Sequence, residues 1–158
     1  MSALVNLTIR PASPADAAIV AEYNCRLASE TENLQLDSER VNKGVSALIA
    51  DSAKGTYYVA EVDGRVAGQL LITYEWSDWR NGNFWWIQSV YVAAEYRGRG
   101  IYKALYRHVH ELAQQRGDVC GLRLYVEQAN AAAQRTYQRL GMNKTHYDIY
   151  EVDFVLGR

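Results

Sequence analysis

Cysteine is scarce in this chain, with two residues, Cys25 and Cys120. Two cannot form a disulfide framework, and they lack metal-ligand spacing. The expectation is a pair of reduced thiols that only pack, and no metal site. A surplus of charge of either sign is also missing: the formal net charge is −1 and the isoelectric point about 6.3. Nucleic-acid binding needs a basic face, so no nucleic-acid partner is expected. No run approaches the roughly 20 apolar residues of a membrane span, so no membrane partner is expected either. Residues 1–10 lack a basic segment followed by an apolar one, which argues against a signal peptide and for a cytoplasmic protein. Repeats, low-complexity runs and linkers are absent. What is there is one domain's worth of chain: 158 residues, 49% of them hydrophobic, enough for a real core.

Hydrophobic periodicity divides the chain into short elements. Leu4 to Arg10 alternates apolar and polar side chains and reads as a strand. Ser13-Pro14-Ala15-Asp16 opens a helix to about Ser29: serine as cap, proline in the first turn, aspartate at the positive end. A second helix starts at Asp37 or Ser38, with Val41, Val45, Leu48 and Ile49 on its buried face. Strands follow at Thr56–Val62, Arg65–Trp76 and Phe84–Val92, the first two joined by the hairpin turn Asp63-Gly64. A helix from Gly100 to about Arg116 carries the stripe Ile101, Leu105, Val109, Leu112 and stops at Gly117. Cys120–Val126 reads as a strand, Asn130–Leu140 as a helix ended by Gly141, and Met142 to Phe154 as one or two last strands. The order β-α-α-β-β-β-α-β-α-β(-β) predicts an α/β class with a mixed sheet and helices on its faces.

The segment Val90-Tyr91-Val92-Ala93-Ala94-Glu95-Tyr96-Arg97-Gly98-Arg99-Gly100-Ile101-Tyr102-Lys103 carries the chemistry. It is a buried strand, a loop with two glycines, then a helix. Glycines let backbone N–H groups converge without a Cβ in the way. The helix start adds unpaired donors and a positive dipole end, which together suit a phosphate or diphosphate. Arg97, Arg99 and Lys103 add positive charge. The Gly-Lys-Ser/Thr loop of nucleotide hydrolases is absent, as is the third glycine of a dinucleotide fingerprint. Two glycines alone equally describe a plain strand-to-helix turn. A second element follows: Asn130, Ala133, Tyr137 and Leu140 share one helix face. A phenol beside a phosphate loop can protonate a leaving group; alone, Tyr137 reads as a core tyrosine.

Taken together, Tyr96-Arg97-Gly98-Arg99-Gly100-Ile101 and Asn130 with Tyr137-Gln138-Arg139-Leu140-Gly141-Met142 resemble the paired motifs of the GNAT N-acetyltransferases. The resemblance covers about residues 56–143 and is vaguer before them. It implies a single N-acetyltransferase domain over residues 1–158. The implied fold is a central, mostly antiparallel sheet flanked by helices, with one splayed pair of parallel strands. Acetyl-CoA would lie in the splay between the strand ending at Val92 and the strand Leu122–Val126. Val90, Tyr91 and Val92 would offer backbone groups to the pantetheine amides and thioester carbonyl. Arg97, Gly98, Arg99, Gly100, Ile101, Tyr102 and Lys103 would hold the diphosphate. Asn130, with Ala133 on its face, would bind the pantetheine arm or fix the start of its helix. Tyr137 matches the family's general acid toward the departing thiolate. One residue departs from the pattern: Tyr102 stands where the family has Gly or Ala, so its ring must point away or pack along the cofactor.

The resemblance also implies direct attack by an amine, with no covalent enzyme intermediate. A carboxylate base is missing at Gln88, which leaves Glu75 and Glu127 as candidates. Glu30, Glu32 and Asp37 lie where the acceptor site borders in this family and would attract a cationic amine. Trp76 and Trp85, with Tyr74, Trp79 and Trp86, read as core or as an aromatic wall against substrate. His108 and His110 point in different directions and make no metal site. The implied acceptor is a small-molecule amine. Protein lysine or N-terminal acetylation, a non-catalytic acyl-CoA sensor, and a homodimer stay open.

Overall fold

The computed structural model of the protein describes residues 6–157. Its elements are β1 (Leu7–Pro11), α1 (Ala17–Glu32), α2 (Ser38–Ala50), β2 (Thr56–Val62), β3 (Arg65–Ser77), β4 (Gly82–Val92), α3 (Ile101–Gln115), β5 (Val119–Arg123) and α4 (Ala131–Arg139). Short 3₁₀ turns precede α1 at Pro14–Asp16 and α3 at Ala94–Tyr96. Leu4 and Val5, expected to begin the first strand, fall outside the described residues. The chain divides into two compact units, Met1–Leu124 and Tyr125–Arg158, each described by itself.

The first unit holds the sheet, in the order β1-β2-β3-β4-β5. The first three pairings are antiparallel and β4–β5 is parallel, so the expected α/β class with a mixed sheet is what forms. Asp63 and Gly64 sit at φ +50° and +78°, the type I′ geometry that matches strand twist. Odd positions of β2 and β3 face α1 and α2: Tyr57, Val59 and Leu71 pack with Val20, Ala21 and Val45. Val41, Leu48 and Ile49 border that cluster, as the helical period requires. Even positions face α3, whose buried side is Ile101, Leu105, Tyr106, Val109 and Ala113. The ring of His108 on α3 meets Tyr58 on β2 at 5.4 Å.

The entry to α1 departs from expectation in detail. The Asp16 carboxylate accepts the Ser13 N–H at 2.7 Å and the Ser13 hydroxyl at 3.1 Å, so aspartate rather than serine supplies the turn's acceptor. Arg10 on β1 donates to both Asp16 oxygens and to Glu61 on β2, tying turn to sheet. That guanidinium holds the Asp16 carboxyl below its ordinary range despite burial. α1 runs on to Glu32 and ends at Asn33, in the left-handed region at φ +50°.

Two expected strands are corrected. β5 stops at Arg123 rather than Val126, because its ladder with β4 ends at the pair Trp86–Arg123. Among the described residues, 125–157 contain no strand, so the one or two strands expected over 142–154 are not formed. Alternation there, as in Tyr147, Ile149 and Phe154, supplies propensity. A strand exists only where a neighbour pairs its backbone groups. No helix among the described residues is long and apolar enough to cross a membrane.

Candidate active site

β4 is bent at Ser89, a non-glycine residue at φ +48°. Gln69 pairs with Tyr91 and Leu71 with Gln88, so β4 spends one extra residue there, a β-bulge. A buried polar chain fixes it. Gln69, fully buried, donates to the Ser89 carbonyl at 3.1 Å and to Asn24 Oδ1 at 2.8 Å. Asn24 in turn donates to the Tyr57 hydroxyl at 3.0 Å. Beyond Trp86 the pairings of β4, at Ile87, Gln88, Tyr91 and Val92, are with β3 alone, so β4 and β5 part there as expected of a splayed parallel pair.

Just after β4 the chain turns into α3 around an open concavity of about 210 Å³. Val92, Arg97, Gly98, Gly100, Ile101 and Tyr102 line it, together with Tyr96 from the 3₁₀ turn before α3. Gly98 and Gly100 sit at φ +75° and +80°, conformations side chains avoid. A Cβ at either would meet nothing within 4 Å, so both glycines leave a surface open. Gly100 is the N-cap of α3, and its backbone leads into the helix's unpaired N–H groups. The hydroxyl of Tyr102 is buried and its ring lies 6.4 Å from that of Tyr106, so tyrosine here packs along α3 while still edging the concavity. Of the residues expected at the diphosphate, Arg99 and Lys103 stand on the same turn and helix start outside this lining, while Val90 and Tyr91, expected at the pantetheine arm, lie on β4 before it.

Glu30 has a different position from the one expected of a substrate carboxylate. Its Oε2 accepts from Arg97 Nη2 at 2.6 Å and its Oε1 from the Tyr91 hydroxyl at 2.8 Å. Arg97 Nε also donates to the Val92 carbonyl at 2.9 Å. Glu30 thus ties the end of α1 to the glycine turn. The Arg97 guanidinium, then the Tyr91 hydroxyl, hold its carboxyl below the usual range. Burial, then Glu30, pushes the Tyr91 phenol up. Glu32 is exposed at the end of α1, and Asp37 caps α2 by accepting the Arg40 N–H at 3.1 Å.

In the second unit, Asn130 Oδ1 accepts the Ala133 N–H at 3.0 Å, so this side chain fixes its helix start. Tyr137 follows on the same helix. Glu127 is exposed, and its carbonyl accepts the Asn130 N–H at 2.9 Å. In the first unit, Glu75 is engaged: Arg123 Nη1 donates to it at 2.8 Å and Trp86 Nε1 at 3.2 Å. Trp85 is 6% exposed and faces α3, where Arg116 lies 5.8 Å from its ring. It is a core residue, since register puts it opposite Tyr74 on the α3 side. Trp76, on that same side, is 59% exposed. Trp86 is the tryptophan that faces the α1 side of the sheet. No group of three or more His, Cys, Asp or Glu that could hold a metal occurs among the described residues.

The sequence profile described as the acetyltransferase (GNAT) family matches residues 21–142. The chain belongs to this family. Its GNAT fold agrees with a crystal structure of a possible acetyltransferase from Clostridium difficile 630, 44% identical with a TM-score of 0.89, covering 94% of this chain and 98% of that one. Among curated GNAT relatives, thialysine N-epsilon-acetyltransferase of Bos taurus is 32% identical over 129 residues, 73% of this chain and 74% of that protein. Streptothricin acetyltransferase of Streptomyces lavendulae is 34% identical over 91 residues, 58% of this chain and 46% of that protein. The chain spans about half the length of the first curated relatives it matches.

Proposed function

We propose that this chain transfers the acetyl group of acetyl-CoA to a primary amine of a small molecule by direct attack in a ternary complex. The observation that carries the reading is the glycine turn. Two left-handed glycines with open Cβ directions lead into the start of α3, next to Arg97. Unpaired backbone donors at a helix N-terminus suit a diphosphate. The one-sided pairing of Ile87–Val92 supports the second half of the reading. The backbone groups of Val90, Tyr91 and Val92 that point away from β3 would take amides as an added strand does, apart from the Val92 carbonyl, which accepts from Arg97 Nε. Arg99 and Lys103 add positive charge to the same turn.

The chemistry needs few groups. The neutral amine nitrogen bonds to the thioester carbonyl carbon, and the proton it then carries in excess passes to solvent water. The carbon–sulfur bond breaks, and the thiolate takes a proton from the Tyr137 hydroxyl. A backbone N–H near Val90 stabilises charge on the carbonyl oxygen. Neither cysteine has a role, and both pack. The thialysine and streptothricin relatives are named for small amine-bearing acceptors, which supports that acceptor class.

Thiol release with acetyl-CoA and a panel of amines tests the proposal. Turnover with small amines supports it. Turnover confined to lysine-bearing or N-terminal peptides replaces the acceptor class. Saturable binding with no turnover on either panel refutes catalysis.

A further inference from the structure

The α1-facing side of the sheet changes character along its length. Under the helices it is apolar, with Tyr57, Val59 and Leu71. One pleat further it turns polar. Thr73 and Glu75 on β3 stand opposite Trp86 and Phe84 on β4, and Arg123 on β5 stands beside Trp86.

The arrangement is held in place from below. Gly121 lets the Phe84 ring lie over β5, where a Cβ would come within 2.6 Å of ring carbon Cε1. The Arg123 guanidinium stacks on that ring at 3.6 Å. Its Nη1 is bound to Glu75 Oε1 at 2.8 Å, and Trp86 Nε1 holds the same oxygen at 3.2 Å. Arg123 Nε and Nη2 have no hydrogen-bond partner among the described residues, and Glu75 Oε2 accepts one long contact of 3.4 Å. A half-exposed ion pair contributes little stability by itself. Here it presents an unfilled guanidinium edge and an unfilled carboxylate oxygen side by side, where β4 and β5 begin to part.

We propose that Glu75 and Arg123 form a subsite for the headgroup of an α-amino-acid acceptor. This rests on the acetyl-transfer reading above. The free Arg123 edge takes the substrate carboxylate through paired N–H donors, a geometry a lysine cannot reproduce. Glu75 Oε2 takes the α-ammonium. The strand also sets which amine reacts. From Trp86, beside Arg123, to Val90 is four residues, at most about 13 Å at roughly 3.3 Å per residue and less because of the bulge at Ser89. An amine on the α-carbon is bound at Glu75, far from the Val90 backbone. The amine that reaches is the terminal one of a lysine-like side chain. Glu75 is thereby a binding residue and not the base.

The test compares L-lysine with cadaverine, which keeps the terminal amine and lacks the carboxylate. Kinetics are measured by thiol release with the full chain, and folding is checked by thermal melt. The expected result is a KM for lysine at least about tenfold below that for cadaverine. Arg123→Gln should remove this preference, bringing the KM ratio near one. Arg123→Lys should restore part of it. Turnover of cadaverine and lysine with equal KM in the unaltered protein overturns the subsite and leaves acetyl transfer standing. So does an Arg123→Gln protein that melts normally and keeps the preference. No thiol release with either amine, or with any other, overturns both readings together.

Discussion

Gly100 offers the sharpest separation between folding and ligand binding. The residue caps α3 at φ +80°, ψ +14°, and the direction of its missing Cβ is empty to 4 Å. Gly100→Ala therefore meets no steric clash. Its cost is conformational: an L-residue in the left-handed region loses roughly 1–2 kcal/mol. Reduced freedom of the unfolded chain returns about 0.4–1 kcal/mol of that. The net is on the order of 1 kcal/mol, which lowers the melting temperature by about 2–4 °C for a chain of this size. Gly100→Asn should melt closer to the unaltered protein, because asparagine tolerates this region. Binding follows a different order. Both side chains enter the space where a diphosphate must approach the backbone, and asparagine fills more of it. Titration calorimetry with acetyl-CoA should show a loss of at least about tenfold for alanine, roughly 1.4 kcal/mol, and more for asparagine. If Gly100→Asn both melts and binds like the unaltered protein, the turn is not a phosphate cradle.

Other consequences follow from particular contacts. Tyr137→Phe should lower kcat by about 10²–10⁴-fold with acetyl-CoA affinity nearly unchanged, measured by steady-state thiol release; full turnover rules out the acid role. Glu30→Gln unties α1 from Arg97 and Tyr91. Calorimetry should then show acetyl-CoA affinity falling several-fold, and an unchanged value would show that the tie does not shape the turn. Asp16 and Glu30 both carry folded-state carboxyl pKa values below the ordinary range. Their contribution is therefore present above about pH 4 and is lost as pH falls through the lower folded values. Urea midpoints should drop steeply on acidification, and less steeply in Arg10→Met, which removes the partner of Asp16. Gly121→Ala should destabilise by about 1–3 kcal/mol through its contact with the Phe84 ring.

Elements whose signal is local could be read from sequence. The stripe Val41, Val45, Leu48, Ile49 announced α2, and Asp63-Gly64 announced its hairpin, because side-chain period and turn chemistry act within a few residues. The glycine turn was legible for the same reason. Features that depend on distant partners were not. Nothing near Ser89 marks a bulge; Gln69 and Asn24, far away in sequence, hold it. The end of β5 is set by where β4 bends away. The alternation over 142–154 carried strand propensity without a ladder. Trp85 and Trp86 are adjacent and chemically alike, yet register sends one into the core and the other to the face shared with Glu75 and Arg123. Glu30 looked like a free acidic lure because its partners, Tyr91 and Arg97, lie some 60 residues on.

The measurement closest to the heart of the account is a pair of calorimetric titrations: acetyl-CoA, and S-acetylpantetheine, which has the same thioester arm and no diphosphate. Saturable binding of the first, with affinity falling by about two orders of magnitude or more for the second, is the predicted result. Equal affinities, or no saturation by acetyl-CoA on folded protein, would contradict it.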